Sequence, residues 1–338
     1  MKVSKVLLVG VILATIIATV GCAAPAAAPA PATSEQAAPA APAAPAEKKT
    51  YEDLVVGYAQ LGAESEWRTA NTASVQQAAE ELGVTLKFSD AQQKQENQIK
   101  AIRSFIAQGV DVIGVPPVVE TGWETVFREA KDAGIPIILV DRRADVPEDL
   151  YVTYLGSDFV EEGRKAGNEM NKLLPEGGKV VELVGTVGSA PANDRYKGFR
   201  ETMASNVEII DSQSGDFTRA KGKEVMEAFL KKYGADIDAL YAHNDDMALG
   251  AIQAIEEFGL KPGEDIKIVS IDAVRGAFQA MMDGKLNVTV ECNPLLGPQF
   301  YDLALKVVNG EEVPKWVPSE ESVYFPDNAA EILPTRQY

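Results

Sequence analysis

One histidine, His243, serves all 338 residues, and only two cysteines, Cys22 and Cys292, accompany it. Any Ser/His/Asp or Cys/His catalytic arrangement would have to use that single imidazole, and a metal site built from several histidines is excluded. Two cysteines make no disulfide framework. Basic charge is scarce as well: 32 Lys and Arg stand against 50 Asp and Glu, a formal net charge of −18. Nucleic-acid binding needs a basic face for phosphate contacts, so it is disfavoured. No G-x-S-x-G elbow occurs. Carboxylates at strand ends keep a hydrolase as the rival class, but binding stands ahead of catalysis, with no catalytic residue, no cofactor and no metal expected.

A long hydrophobic run is also missing. Lys2 and Lys5 precede an apolar or small stretch over residues 6–20, short of the roughly 17–25 residues that cross a bilayer. This pattern predicts a secretory signal over residues 1–21, a spanning helix being the weaker alternative. Thr19-Val20-Gly21-Cys22 resembles a bacterial lipobox, with Thr19 in place of the usual Leu or Val. That resemblance implies a lipid on Cys22, ordinary cleavage near the Ala-rich stretch being the alternative. From 23 to 46 every residue is Ala or Pro except Thr33, Ser34, Glu35 and Gln36. So few large apolar side chains cannot offset the entropy of ordering, and residues 22–50 read as a tether. The protein is expected outside the cytoplasm, in the cell envelope or periplasm, touching the membrane only through the lipid.

From residue 51 short apolar runs alternate with helical patterns. Strands are expected at 54–58, 85–88, 112–115 and 135–140. Between them, Val75, Ala78, Ala79 and Leu82 share a helical face that stops at Gly83. Ile99, Ile102 and Ile106 mark a second helix ending at Gly109, and a third is expected over 123–133. A second series places strands at 180–184, 207–210, 240–242 and 266–271, with helices near 159–174, 195–204, 219–233 and 247–258. Strands alternating with helices of this length imply parallel sheets covered on both faces. The chain therefore reads as α/β, with two doubly wound parallel-sheet domains.

In such sheets ligands bind beyond the carboxyl ends of the strands, and chemistry-bearing residues fall there. Gln60 leads to Trp67 and Arg68; Val140 to Asp141 and Arg142; Val184, through residues 185–192, to Asn193, Asp194 and Arg195. Ala242 leads to His243, Asn244, Asp245 and Asp246, and Ile271 to Asp272. Arg offers a fork of donors, Asp two acceptors and Asn one of each. Vicinal sugar hydroxyls both donate and accept, and Trp67 could cover the apolar face of a ring. Each of these residues taken singly also reads as a helix cap or a salt bridge. Cys292 follows an alternating apolar stretch and reads as a small buried side chain.

The runs Ala63-Glu64-Ser65-Glu66-Trp67-Arg68, Ser212-Gln213-Ser214-Gly215-Asp216-Phe217-Thr218-Arg219, Tyr241-Ala242-His243-Asn244-Asp245-Asp246-Met247 and Ser270-Ile271-Asp272 carry a resemblance, as does the polar segment over 92–100. From residue 51 onward the chain resembles the type I periplasmic sugar-binding proteins of ABC importers, and within them the galactofuranose-binding branch. The resemblance implies a monomer with a three-segment hinge, crossing near 156–157, 272–273 and 291–292. The first subdomain would comprise 51–157 and 273–291, the second 158–272 and 292–338. It implies one wall of Gln60, Glu64, Trp67 and Arg68, ring hydroxyls held by Asp141 and Arg142, and an opposite face of Arg195, Phe217, Asn244 and Asp272. The implied partners are a monosaccharide, galactofuranose before ribose, arabinose or galactopyranose, and an ABC permease in the cytoplasmic membrane. A sugar sensor for a membrane receptor is the alternative. Glu66 stands where a small residue is expected.

Overall fold

The computed structural model describes residues 48–338. The expected signal, Cys22 and the tether as far as residue 47 lie outside the described residues. Residues 48–50, expected in the tether, already belong to the fold: the backbone of Lys49 exchanges two hydrogen bonds with the Asn309 carboxamide, at 2.8 and 3.0 Å. No helix among the described residues is long and apolar enough to cross a membrane.

The first half alternates β1 (Val55–Gln60), α1 (Glu66–Leu82), β2 (Thr85–Asp90), α2 (Gln95–Gln108), β3 (Val112–Val115), α3 (Glu124–Asp132), β4 (Ile137–Val140) and β5 (Thr153–Leu155). Strands β3 and β4 are buried along their whole length, as their continuous apolar runs require of parallel strands covered on both faces. Helix α1 starts where Ser65 Oγ accepts the Arg68 amide at 3.1 Å. It stops at Gly83, whose φ of +76° suits a residue without Cβ. Trp67 and Arg68 are thereby held in the first turn, beside the carboxyl end of β1.

The second half alternates α4 (Phe159–Leu173), β6 (Gly178–Val184), α5 (Ala190–Thr202), β7 (Val207–Ser214), α6 (Arg219–Tyr233), β8 (Ala239–Ala242), α7 (Asp245–Phe258), β9 (Lys267–Asp272), α8 (Arg275–Met282) and β10 (Val288–Glu291). The chain ends with α9 (Gly297–Val308), β11 (Trp316–Val317), β12 (Val323–Tyr324) and α10 (Pro326–Ile332). Sheet orders are β11-β5-β4-β3-β1-β2 and β12-β10-β9-β8-β6-β7. All pairings are parallel except β10 with β12. The two doubly wound halves are thus present, with one antiparallel strand at the edge of the second sheet. Helix α5 begins at Ala190, earlier than the expected 195, because Pro191 suits a first helical turn.

The expected domain limits after residue 272 are corrected. Strand β10 pairs with β9 in parallel register, Val288 opposite Val269 through Glu291 opposite Asp272, so 273–291 stays with the second half. Helix α9 then returns to the first half, where Phe300, Tyr301 and Ala304 join the core of Tyr58 and Val75, and β11 extends the first sheet beside β5. The chain passes between sheets between β5 and α4, between β10 and α9, and between β11 and β12, with no crossing at 272–273. Local pattern could not show this, because pairing partners for a four-residue strand are chosen by the whole sheet.

Candidate functional site

Glu64, Trp67, Arg68, Asp141, Arg142, Arg195, Phe217, Asn244 and Asp272 all line one cleft between the halves. Of the ten residues expected there, Gln60 is absent from the lining. Its amide nitrogen donates to Asn71 Oδ1 at 3.1 Å and Thr72 Oγ1 at 2.9 Å, and its oxygen accepts the Leu61 amide at 2.9 Å. With its carboxamide engaged on all sides, Gln60 braces α1 against β1 from behind.

Ser65, Phe159, Pro191 and Cys292 also line the cleft; of these the sequence pointed only to Cys292, as a hinge residue close to the site. Pro191 lay inside the loop expected after β6. Phe159 and Cys292 follow the crossings expected near 156–157 and 291–292, which bring both beside the cleft. The Arg195 guanidinium lies 5.2 Å from the centre of the Phe159 ring, which explains an aromatic at that otherwise polar corner. Other strand-end residues serve elsewhere. Asp245 is buried against Ser270, Thr289 and the Val274 amide. Asn244 both caps α7, accepting the Met247 amide at 3.0 Å, and holds the Phe217 carbonyl at 3.1 Å.

Three arginines form the polar frame. Arg68 donates to Glu64 Oε1 at 3.1 Å, to Asn71 Oδ1 at 3.2 Å and to Asp141 Oδ2, and its guanidinium lies 4.6 Å from the Trp67 ring. Burial works against its charge, but Asp141 and Glu64 outweigh it and hold the group above its ordinary value. Arg195 donates to Glu162 Oε2 at 2.7 Å and the His243 carbonyl at 2.6 Å, with Asp272 Oδ1 3.7 Å away. Arg142 reaches the Val118 carbonyl at 3.1 Å and Glu64 Oε1 at 3.5 Å. Burial, then the like charge of Arg68, pull its pKa down to about 10. Burial pushes the Asp272 carboxyl well above the usual range, against the pull of Arg195.

Two buried atoms of cleft-lining residues have no hydrogen-bond partner among the described residues: Glu64 Oε2, an acceptor, and Arg142 Nε, a donor that lies 3.7 Å from Asp141 Oδ2. An unmet buried polar group costs about 1–3 kcal/mol, so the wall is built for something that supplies both. Backbone strain gathers in the same place. Of the seven non-glycine residues at positive φ among those described, Asp141 (+62°), Phe217 (+60°) and Asp272 (+129°) line the cleft. The Phe217 ring lies over Gly185, where any Cβ would collide with it, and 5.3 Å from the Arg142 guanidinium. Polar atoms in the cleft plane and aromatic rings at Trp67 and Phe217 suit a flat, hydroxylated ring.

His243 does not reach the cleft. It is buried behind β8, its Nε2 3.1 Å from Glu182 Oε1, with Arg200 clamping the same carboxylate at 2.8 and 2.7 Å.

The family described as periplasmic binding protein domain matches residues 56–312. The galactofuranose-binding protein YtfQ of Escherichia coli (strain K12) is 52% identical over 289 residues, 83% of this chain and 90% of that one. A crystal structure from Mycobacterium smegmatis, in complex with beta-D-fucofuranose, is 54% identical with a TM-score of 0.82, covering 84% of this chain and 95% of the other. The periplasmic binding protein component of the arabinose ABC transporter from Shewanella sp. ANA-3, bound to alpha and beta-L-arabinofuranose, is 49% identical with a TM-score of 0.81, again covering 84% and 95%.

Proposed function

The chain belongs to the periplasmic binding protein family, and from that premise we propose that it is an extracytoplasmic receptor for a monosaccharide in its furanose form, galactofuranose above all. The observation that carries this reading is the unmet pair in the cleft, Glu64 Oε2 and Arg142 Nε. A sugar hydroxyl donates and accepts at once, so one hydroxyl, or two neighbouring ones, satisfies both atoms. Charge on the wall is already balanced by Asp141, Glu64 and Glu162 against three arginines, which favours a neutral polyol over an ion. Three relatives whose names carry a furanose support the ring form. Ribose, arabinose and galactopyranose are the competing ligands.

Closure of the halves around the sugar is the signal an ABC permease would read, with Cys22 as the lipid attachment that keeps the monomeric receptor at the membrane. Titration with galactofuranose, galactopyranose, arabinose and ribose tests the reading. The cognate sugar should stabilise the protein by about 2.7 kcal/mol at a hundredfold excess over its dissociation constant. No response to any of them would remove the monosaccharide claim, and turnover of the sugar would remove the receptor claim. Arg142→Ala should abolish binding while the protein still melts cooperatively.

A further inference from the structure

Each of the three chain crossings sends one side chain to a single cluster at the edge of the cleft. Ser157 comes from the first, Cys292 from the second and Glu321 from the third, and Glu162 joins them from α4. Ligand-type atoms of Glu162, Cys292 and Glu321 all lie within 4.8 Å of one another. Ser157 Oγ donates to Glu321 Oε1 and sits 3.5 Å from Cys292 Sγ. The sugar-binding role uses none of the Glu162–Glu321 contact, yet the cluster touches the cleft through Cys292, which lines it, and through Arg195, which pairs with Glu162 Oε2 at 2.7 Å.

Two carboxylates this close disfavour each other's ionised form where water is scarce, Glu162 being fully buried and Glu321 half-buried. Glu162 is fully buried, and its Oε1 has no hydrogen-bond partner among the described residues. The cations nearby are already committed. Arg195 faces Glu162 and also Asp272, and Lys165 spends its ammonium on the Glu321 backbone carbonyl at 2.9 Å. The remaining neighbours are the Cys292 thiol, which burial pushes well up so that it stays protonated, the Asn293 amide on Glu321 Oε1 at 3.3 Å, and the Tyr154 hydroxyl on the Ser157 carbonyl at 3.0 Å. None of them neutralises the second carboxylate.

We propose that closure of the cleft traps one proton between Glu162 and Glu321 where the three crossings meet, so that sugar binding is proton-linked. The inference rests on the receptor reading. On closure the Glu321 carboxylate takes a proton from solvent and becomes a carboxylic acid whose O–H faces the Glu162 carboxylate. Opening turns the crossing segments, separates the pair, admits water and returns the proton. The direction agrees with burial and the Glu162 charge, which raise Glu321 to about 9, and with burial raising Glu162. A carboxyl raised in the closed form favours closure at low pH, and that preference is lost as pH climbs from the ordinary carboxyl range toward about 9.

The test is calorimetric titration of the full chain with D-galactose, whose solutions contain the furanose form, and with L-arabinose, in two buffers of different ionisation enthalpy. Binding should take up a measurable fraction of a proton, and affinity should fall severalfold per pH unit between about 6 and 9. Glu321→Gln should bind with buffer-independent heat and flat pH dependence. Buffer-independent heat in the unsubstituted protein, or uptake persisting in Glu321→Gln, overturns the proposal. Infrared spectra with and without D-galactose separate this from the receptor reading: a buried carboxylic-acid band at neutral pH that appears with the sugar, is lost in Glu321→Gln and shifts to lower pH in Glu162→Gln supports the trapped proton, whereas the same band at full strength without sugar overturns the linkage. Absence of that band overturns the proton while leaving sugar binding untouched.

Discussion

The Trp67 indole nitrogen donates a 2.6 Å hydrogen bond to the backbone carbonyl of Cys292. Trp67 sits in the first turn of α1, on the first sheet's side of the cleft, whereas Cys292 opens the crossing that follows β10. One ring therefore lines the cleft and is tied to the hinge. Asn71, one turn further on, repeats the link through the Pro294 carbonyl at 3.0 Å.

Trp67→Phe keeps an aromatic face and removes the donor. A lost neutral hydrogen bond is worth about 1 kcal/mol, so sugar affinity should weaken roughly fivefold, read by equilibrium titration. The loss should appear mainly in the dissociation rate, where most differences in affinity between variants of one site fall.

Gly185 permits the Phe217 ring to lie where it does, since a Cβ there would overlap the ring carbons. Gly185→Ala should drive the ring into the cleft and abolish detectable binding. Thermal stability should fall by only about 1–3 kcal/mol, the usual cost of overpacking. Unchanged affinity would show that Phe217 does not define the cavity.

Polar contacts also close the halves away from the cleft floor. Arg143 pairs with Asp194, Asn193 donates to Glu120 Oε2 at 2.6 Å, and Arg219 lies 3.4 Å from Glu66 and 2.9 Å from Asp246. Glu66, unexpected in this position, is thus part of a bridge between halves. Such partly exposed pairs contribute about 0.2–1 kcal/mol each. Glu66→Ala and Asp194→Asn should each speed sugar release by roughly two- to fivefold. Raising salt should weaken binding of a neutral sugar in the same direction, which stopped-flow dissociation would measure.

Acid sensitivity should centre on His243 and Glu182. Burial lowers the His243 pKa against the pull of Glu182, so the folded protein resists protonation that the unfolded chain accepts. Stability from this group is present above about 6.5 and is lost as pH falls through that value. Burial opposes the Glu182 charge, but Arg200 and His243 outweigh it and hold the carboxyl at about 2, so its share is lost below the ordinary carboxyl range. Between pH 7 and 5 the melting temperature of the unsubstituted protein should fall relative to that of His243→Gln, the raised Asp272 and Glu321 carboxyls acting in the opposite sense in both.

Most local elements were legible because each carries its own pattern. The helical face of Val75, Ala78 and Ala79 is buried as its spacing demands, and strands β3 and β4 are apolar throughout because both faces are covered. Seven lining residues could be named because strands end where ligands bind in this architecture, whereas Glu64 and Phe217 were named only through the family resemblance. Gln60 misled because position after a strand does not reveal which way a carboxamide turns, and its three local bonds turn it away.

The sequence by itself determined the strand and helix alternation, the poverty in histidine that sets catalysis aside, and the charged and aromatic residues at the strand ends. Only the tertiary structure decided that 273–291 belongs to the second sheet and α9 to the first, since edge strands as short as β11 and β12 have no pattern of their own. It also decided that Ser157, Glu162, Cys292 and Glu321 meet. The closest of these in sequence are five positions apart and the farthest 164, and no local periodicity records a contact made by three separate crossings of the chain.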